Sequence, residues 1–569
     1  MLPSAFRTCT RMLALLLCAA ASFGVVQSLQ PTPLVMASPG TTTISARLQE
    51  IAVAGKLPVL RWPDFSDYRT DFLQLYQASN FSPFWLTPSG QPTPQALAVI
   101  QALESSRQKG LIPDDYDAAR WQGRVAALKA NADPTAQANF EAALTICTLR
   151  YISDLHIGRV NPKHFNFGID IQNKKYNLPQ FIAQDVIHAG NVQSVLDAAE
   201  PPYAGYKRAE VALQRYLQLA AKGDGPVVPE VKKTVAPGDT YAGVAQLAQR
   251  LDLLGDLSQA ASVNPTSQIY TGALVDAVKL FQDRHGMVAD GKIGKEIVRQ
   301  LNVPLSFRVQ QLDDAMERWR WLPPSFLQPP VVVNVPEFVL RVFTADHTVA
   351  LRMNVVVGKA VRHQTPVFAK DMQYIVFRPY WNVPTSILRS EIVPAIVKNR
   401  NYIANKNFEV VTYSGTVVTS GPINDDVLAQ LRAAKLMVRQ KPGPDNALGL
   451  VKFMFPNEHS VYLHSTPAQS LFSQSRRDFS HGCIRVQKPA ELAAYLLRNQ
   501  PPWTMDKVQS AMQTGPNNQQ VNLKTPIPVL ILYITAVVEE DGSVHFFNDI
   551  YGHDKSLEAL LAKGPPYPG

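Results

Sequence analysis

Apolar positions change their period along the chain. From about 58 to 222 they recur every three or four residues, which predicts amphipathic helices. In "PTPQALAVIQALESSRQKG", Leu97, Ile100 and Leu103 fall on one side, and Gly110 supplies a stop. "YKRAEVALQRYLQLAAKG" is a second strong helix ending at Lys222-Gly223. In "ANFEAALTICTLRYISDL", Phe140, Leu144, Cys147 and Tyr151 share a side, so Cys147 reads as a small buried hydrophobe. "FSPFWLTPSG" reads as a loop that packs its aromatics. Before this region, residues 38–57 read as an exposed lead-in; after it, Pro and Gly break residues 223–239 into a linker. Residues 240–302 then give three short helices on Val244/Leu247/Leu251/Leu254, Leu274/Val278/Phe281 and Ile293/Ile297/Leu301, with a turn at Asp290-Gly291.

At 329 the texture becomes β-branched. "PPVVVNVPEFVLRVFTADHTVALRMNVVVGK" predicts strands paired across the "ADHT" break, and "QYIVFRPYWNVP" follows. Residues 386–445 mix helical and turn segments and read as an insertion beside whatever site the sheet carries. Strands resume at "GLVKFMFPN" and "SVYLHS", and a helix follows in "KPAELAAYLLRNQ". The C-terminal segment, 501–569, contains an apolar run with an Asp541-Gly542 hairpin signal and is expected to pack on the strand region of 329–500.

The first residues alter the compartment. Arg7 and Arg11 precede the apolar run Met12–Val26, and no acid occurs before Glu50. This reads as an export signal over 1–37, with a small-residue cleavage site at Val35-Met36-Ala37; an uncleaved anchor, giving association with the inner membrane, is the alternative. Removing 1–37 takes away two arginines and no acid, so the formal charge falls from +9 to +7. A mildly basic exported chain suits an acidic polymer such as a bacterial wall. With no dense Lys/Arg tract, nucleic acid is not an expected partner. Cleavage also removes Cys9 and Cys18 and leaves Cys147 and Cys483, whose contexts argue against a disulfide.

Cys483 lies in "SHGCIR". A thiol attacks as thiolate, and an imidazole commonly generates one near neutral pH. Strand alternation in "SVYLHST" puts Tyr462 and His464 on a cleft-facing side and Val461 and Leu463 toward the core. His481, two residues before the thiol, would run parallel to it, whereas a histidine on another strand can meet it head-on. His464 is therefore the expected base and His481 a neighbour that shapes the site. The amides of Gly482 and Cys483, with the Tyr462 hydroxyl, are expected to receive an oxyanion. The Ser465 carbonyl is expected to fix the His464 tautomer, and Arg485 to hold a carboxylate or tie down the loop. Two rivals are a merely buried cysteine and a zinc site made by His464, His481 and Cys483; with neither HExxH nor CxxC in the chain, the expectation is no metal and no cofactor.

His464, fifteen intervening residues and then Ser480-His481-Gly482-Cys483-Ile484-Arg485 resembles the signature of L,D-transpeptidases with a YkuD-type catalytic domain. "AVKLFQ", the "DG" turn and "IGKEIVRQLN" resemble the type-1 peptidoglycan-binding module. With "LYQASNFSPFWL", "GLIPDDY", "RPYWNVP", "KPGPDNALGLVKFMFPN" and "DIYGHD", the layout is similar to the large YcbB-type enzymes of the Gram-negative periplasm. The resemblance implies a multidomain α+β fold: a helical scaffold domain, a three-helix peptidoglycan-binding module, and a mainly-β catalytic domain with an inserted capping region. It implies ping-pong acyl transfer on peptidoglycan stem peptides. Cys483 attacks the carbonyl after the third residue of a tetrapeptide donor, D-alanine leaves, and the diaminopimelate amine of an acceptor stem resolves the thioester into a 3→3 cross-link. It further implies acylation by carbapenems. Trp381 and the insertion become candidates for shaping the donor groove, and Ser480 and Arg485 for binding substrate. An L,D-carboxypeptidase and a non-catalytic wall-binding scaffold are the alternatives.

Overall fold

In the computed structural model, which describes residues 43–130, 133–258, 264 and 266–568, the N-terminal third is built on one buried helix. Pro134–Ile157 starts at Asp133, whose carboxylate accepts from the amides of Thr135 and Ala136 at 2.9 and 3.0 Å. Its middle is buried on every side, as expected of a helix at the centre of a bundle. Cys147 lies there fully buried, and burial pushes its thiol up to about 12, so it is inert. In the helix Pro94–Glu104 the buried stripe is Ala96, Val99, Ile100 and Leu103, whereas Leu97 is 48% exposed, one position off the expected register. The signal expected over 1–37, with Cys9 and Cys18, lies outside the described residues.

The exposed lead-in expected over 38–57 is corrected where it is described. Ile44–Ala54 is a helix, capped by the Thr43 hydroxyl on the Ala46 amide at 3.1 Å and ended by Gly55 in the left-handed region. It buries Leu48, Ile51 and Ala52. Its pattern is amphipathic, but the run of threonines before it reads as loop because Thr43 serves as the cap. The linker expected over 223–239 is likewise packed: Val228, Val231 and Val235 are buried, and Val235 bridges antiparallel to Ile293. The three helices Val244–Leu254, Ala273–Arg284 and Lys295–Leu301 bury the predicted stripes, except that Ile293, also buried, precedes the third helix in the bridge to Val235. The Asp290-Gly291 turn is held by Gln282, which donates to the Asp290 carboxylate at 2.9 Å and accepts from the Gly291 amide at 2.8 Å.

The C-terminal half carries the strands β1 (Val331–Asn334), β2 (Val339–Phe343), β3 (Val349–Gly358), β4 (Phe368–Phe377), β5 (Trp381–Asn382), β6 (Phe408–Val411), β7 (Val417–Thr419), β8 (Met437–Gln440), β9 (Val451–Met454), β10 (Leu463–His464), β11 (Asp478–Ser480), β12 (Ile484–Val486), β13 (Gln519–Leu532), β14 (Ala536–Val538) and β15 (Val544–Phe546). The main sheet runs β11-β3-β12-β10-β9-β4-β13-β1-β2, with β2 also pairing β3. β13 lies between β1 and β4, so the segment 501–569 does not merely pack on the sheet; it supplies an interior strand. β14 and β15 pair across the Asp541-Gly542 turn. β5, just ahead of the 386–445 insertion, joins its strands β8, β6 and β7 in a small separate sheet, β5-β8-β6-β7, over a core of Val383, Ile396, Ile403, Val410, Leu431 and Val438. Met437–Gln440, which reads as helical or turn in "AAKLMVRQ", is a strand because β6 offers it a partner edge.

Candidate active site

Two short strands assemble the site. β10 pairs parallel with β12, Leu463 with Ile484 and His464 with Arg485, and antiparallel with β9, His464 with Lys452. Register partners share a face, so Lys452, His464 and Arg485 form one row, with Tyr462 and Cys483 on that face beside them. Val461 and Leu463 turn to the buried side, as alternation predicts. The Tyr462 and His464 rings meet edge-on with centroids 5.8 Å apart.

The half-buried Cys483 thiol donates weakly to the Ser460 carbonyl at 3.8 Å. Burial pushes the thiol up from its ordinary value; the amide and hydroxyl of Tyr462, which can donate to an ionised sulfur, and the charges of Lys452 and Arg485 act the other way. The Tyr462 hydroxyl is therefore placed to steady an ionised sulfur. His464 is buried, and its Nδ1 lies 2.6 Å from the Ser465 carbonyl. A carbonyl only accepts, so Nδ1 carries the hydrogen and Nε2 is the basic nitrogen. Burial, then the Arg485 charge, hold the imidazole down to about 3, so it is neutral at physiological pH. A neutral base on the strand next to an un-ionised thiol suits proton transfer during attack rather than before it.

The "SHGC" turn is braced from within and from behind. Gly482 has φ 115°, a left-handed conformation in which a side chain would be strained. Its amide donates to the Ser480 hydroxyl at 3.1 Å, and that hydroxyl donates to the Cys483 carbonyl at 2.6 Å. The Gly482 amide is therefore already used, which removes it as the expected oxyanion donor. Ser480, expected to bind substrate, is buried and ties the turn together instead. The Cys483 amide has no protein partner among the described residues. Behind the turn, Thr365 donates to the Gly482 carbonyl at 2.8 Å and accepts from the Gly358 amide at 2.9 Å. The Tyr551 hydroxyl donates to the Gly358 carbonyl at 2.5 Å and accepts from the Thr365 amide at 3.2 Å.

Two expected residues face the insertion. His481 Nε2 lies 2.7 Å from the Glu391 carboxylate, on the helical turn Leu388–Ile392, and its ring is 4.7 Å from that of His363. It joins the inserted region to the loop rather than meeting the thiol. Among the described residues no three His, Cys, Asp or Glu side chains converge to hold a metal ion, so the zinc arrangement of His464, His481 and Cys483 does not form. Trp381, expected to shape the donor groove, packs in the insertion's own core against Phe408, with ring centroids 6.1 Å apart. The chain returns from β8 through a loop in which buried Asn446 donates to the Lys441 carbonyl at 2.9 Å. It reaches β9 at Gly449, where an added Cβ would stand 2.5 Å from the Ser465 hydroxyl. That close approach brings the return loop against His464.

Sequence reasoning missed Lys452, Thr365, Tyr551 and Glu391. Lys452 had a signal, a lone charge amid the apolar positions of "GLVKFMF", but its register beside His464 depends on a pairing of distant segments.

Three segments of the chain match known families. Residues 329–529 match the model of the L,D-transpeptidase catalytic domain, YkuD. Residues 70–213 match a scaffold domain, and residues 240–301 match a "Putative peptidoglycan binding domain". A Haemophilus influenzae protein named "Putative L,D-transpeptidase" is 31% identical over 227 residues, 40% of this chain and 45% of the relative. The match thus spans less than half of that relative's length. The chain carries a YkuD L,D-transpeptidase catalytic domain together with a scaffold domain and a peptidoglycan-binding domain.

Proposed function

We propose that the protein is a peptidoglycan L,D-transpeptidase working through a Cys483 thioester. The observation that carries this reading is the thiol on a braced glycine turn, with Tyr462 beside its sulfur and, on the adjoining strand, a neutral imidazole whose Nδ1 is fixed by the Ser465 carbonyl. In the first half-reaction the thiol proton passes to Nε2 of His464 as sulfur bonds to the carbonyl carbon after the third stem residue. The Cys483 amide faces the resulting oxyanion. The C–N bond breaks, the imidazolium returns the proton to the leaving nitrogen, and D-alanine departs. In the second, the diaminopimelate amine of another stem attacks the thioester, gives its proton to His464, and the thiolate leaves and is reprotonated. The product is a 3→3 cross-link.

The peptidoglycan-binding and catalytic families support action outside the cytoplasm, and we place the protein in the periplasm of a Gram-negative cell. Among the described residues no helix is long and apolar enough to cross a membrane. Incubation of the full chain with tetrapeptide-bearing muropeptides tests the activity. Cross-linked dimers and free D-alanine are expected. Trimmed tripeptides without dimers would make the protein an L,D-carboxypeptidase, and no turnover with no carbapenem adduct on Cys483 would leave a wall-binding scaffold.

A further inference from the structure

Lys452 and Arg485 flank His464 from the two neighbouring strands. Strands lie about 4.8 Å apart, so the two Cα atoms stand about 10 Å apart with the imidazole between them. Both side chains are half-buried. Neither forms an ion pair with an acid among the described residues. The Lys452 ammonium lies 5.8 Å from the centre of the Tyr462 ring, and Arg485 Nε is buried without a hydrogen-bond partner. Cys483, once ionised, is the group of opposite charge that acts on either of them.

This differs from how the chain treats its other enclosed cations. Arg159 pairs with Glu317 and Arg341 with Glu337, while Arg308 and Arg477 give their N–H groups to carbonyl oxygens. A cation withdrawn from water without a partner is costly, and two on one face beside a thiol form a site that is incomplete without an anion. Arg485 offers a planar donor fork and Lys452 a point charge, a pair suited to one carboxylate.

We infer that Lys452 and Arg485 form a carboxylate subsite for the residue that leaves the acyl donor. The inference rests on the acyl-transfer reading above. His464 returns its proton to the leaving nitrogen, and the α-carboxylate of that amino acid is a single carbon away from the nitrogen. A leaving group placed at the imidazole therefore brings its carboxylate to the cations on either side. The donor's remaining carboxylates lie on the acyl side of the scissile bond, away from this row. The subsite selects a donor whose leaving residue is also its last, because a further residue would carry the carboxylate out of reach and leave a neutral peptide bond between the two cations. Lys452 is thus a specificity residue that the sequence motif does not contain.

The test compares the full chain on a tetrapeptide stem and on the same stem ending in D-alaninamide, read as Cys483 adduct formation by intact mass and as kcat/KM. The wild type is expected to favour the free carboxylate by about tenfold or more, the scale of one charge-assisted contact. In Lys452→Met that preference should collapse toward one, and Lys452→Arg should restore most of it. Arg485→Gln gives the same reading if Lys452→Met does not fold. Equal acylation of both donors by the wild type, or an undiminished preference in both neutral variants, overturns the subsite while leaving acyl transfer intact. Absence of any Cys483 adduct from the wild type with either donor overturns the acyl-transfer reading, and the subsite with it.

Discussion

The Ser480 hydroxyl closes the turn that presents Cys483: it donates to the Cys483 carbonyl at 2.6 Å and accepts from the Gly482 amide two residues along its own chain at 3.1 Å. Both bonds are local, yet they fix where the thiol and its amide point. Ser480→Ala leaves a buried amide and a carbonyl without partners, at a cost of about 1–3 kcal/mol. Acylation of Cys483 is expected to slow by about tenfold or more, since about 1.4 kcal/mol corresponds to one decade. Stopped-flow acylation by a carbapenem would measure it, and an unchanged rate would mean the turn holds its shape without the hydroxyl.

Thr365 and Tyr551 brace the same turn from outside. Tyr551→Phe removes one hydroxyl that serves both the Gly358 carbonyl and the Thr365 amide. About 1–2 kcal/mol of stability should be lost, and the acylation rate should fall with it. Thr365→Val should have the same sense. Non-additivity in the double variant is the specific expectation, because both side chains hold Gly358 and the Tyr551 hydroxyl also accepts from the Thr365 amide. Simple additivity of the two losses would show that they act separately.

His464 and His481 should separate in their effects. His464→Ala removes the proposed base and is expected to reduce acylation by about 10²–10⁴-fold. His481 lies at an exposed contact with Glu391, so His481→Ala should change the rate far less. The reverse order would assign the base to His481.

The titration of His464 has a sign that can be checked. Its ordinary value is 6.5 and the fold holds it down to about 3. Between these values the unfolded chain binds a proton that the folded chain does not. Stability is therefore fully present above pH 6.5 and is lost as pH falls toward 3, by up to about 1.4 kcal/mol per pH unit. Denaturant midpoints of wild type and His464→Gln across pH 4–7 would isolate this share. Parallel curves would mean that His464 titrates normally. On the same grounds, no loss of activity centred near pH 6.5 should arise from His464.

The helix Ile44–Ala54 should matter to stability. Leu48→Ala removes a fully buried side chain and is expected to cost about 2–5 kcal/mol by chemical denaturation. A loss below about 0.5 kcal/mol would return this segment to the status of an exposed lead-in.

The amino-acid sequence determined much of this protein by short-range rules. The stripes of residues 240–302, the buried Cys147, the strands flanking "ADHT" and the side of β10 to which His464 belongs follow from periodicity, and periodicity is a property of neighbours in the chain. That His464 and the "SHGCIR" cysteine belong to adjoining segments of one sheet follows from the same alternation, helped by the resemblance. Where a hydrogen bond or a charge came from a distant segment, local reading had nothing to work with. Thr365 reaches the Gly482 turn across 117 residues of sequence, and Tyr551 reaches Thr365 and Gly358 behind it across 186 and 193. β13 enters the sheet between β4 and β1, and Lys452 gains its meaning only when β9 is laid beside β10. The Gly482 amide reads as a free donor until the turn closes and commits it to Ser480. Side-chain type and local period are encoded residue by residue, but which donors remain unpaired and which charges stand together depends on strand register, and register is set only when the whole sheet assembles.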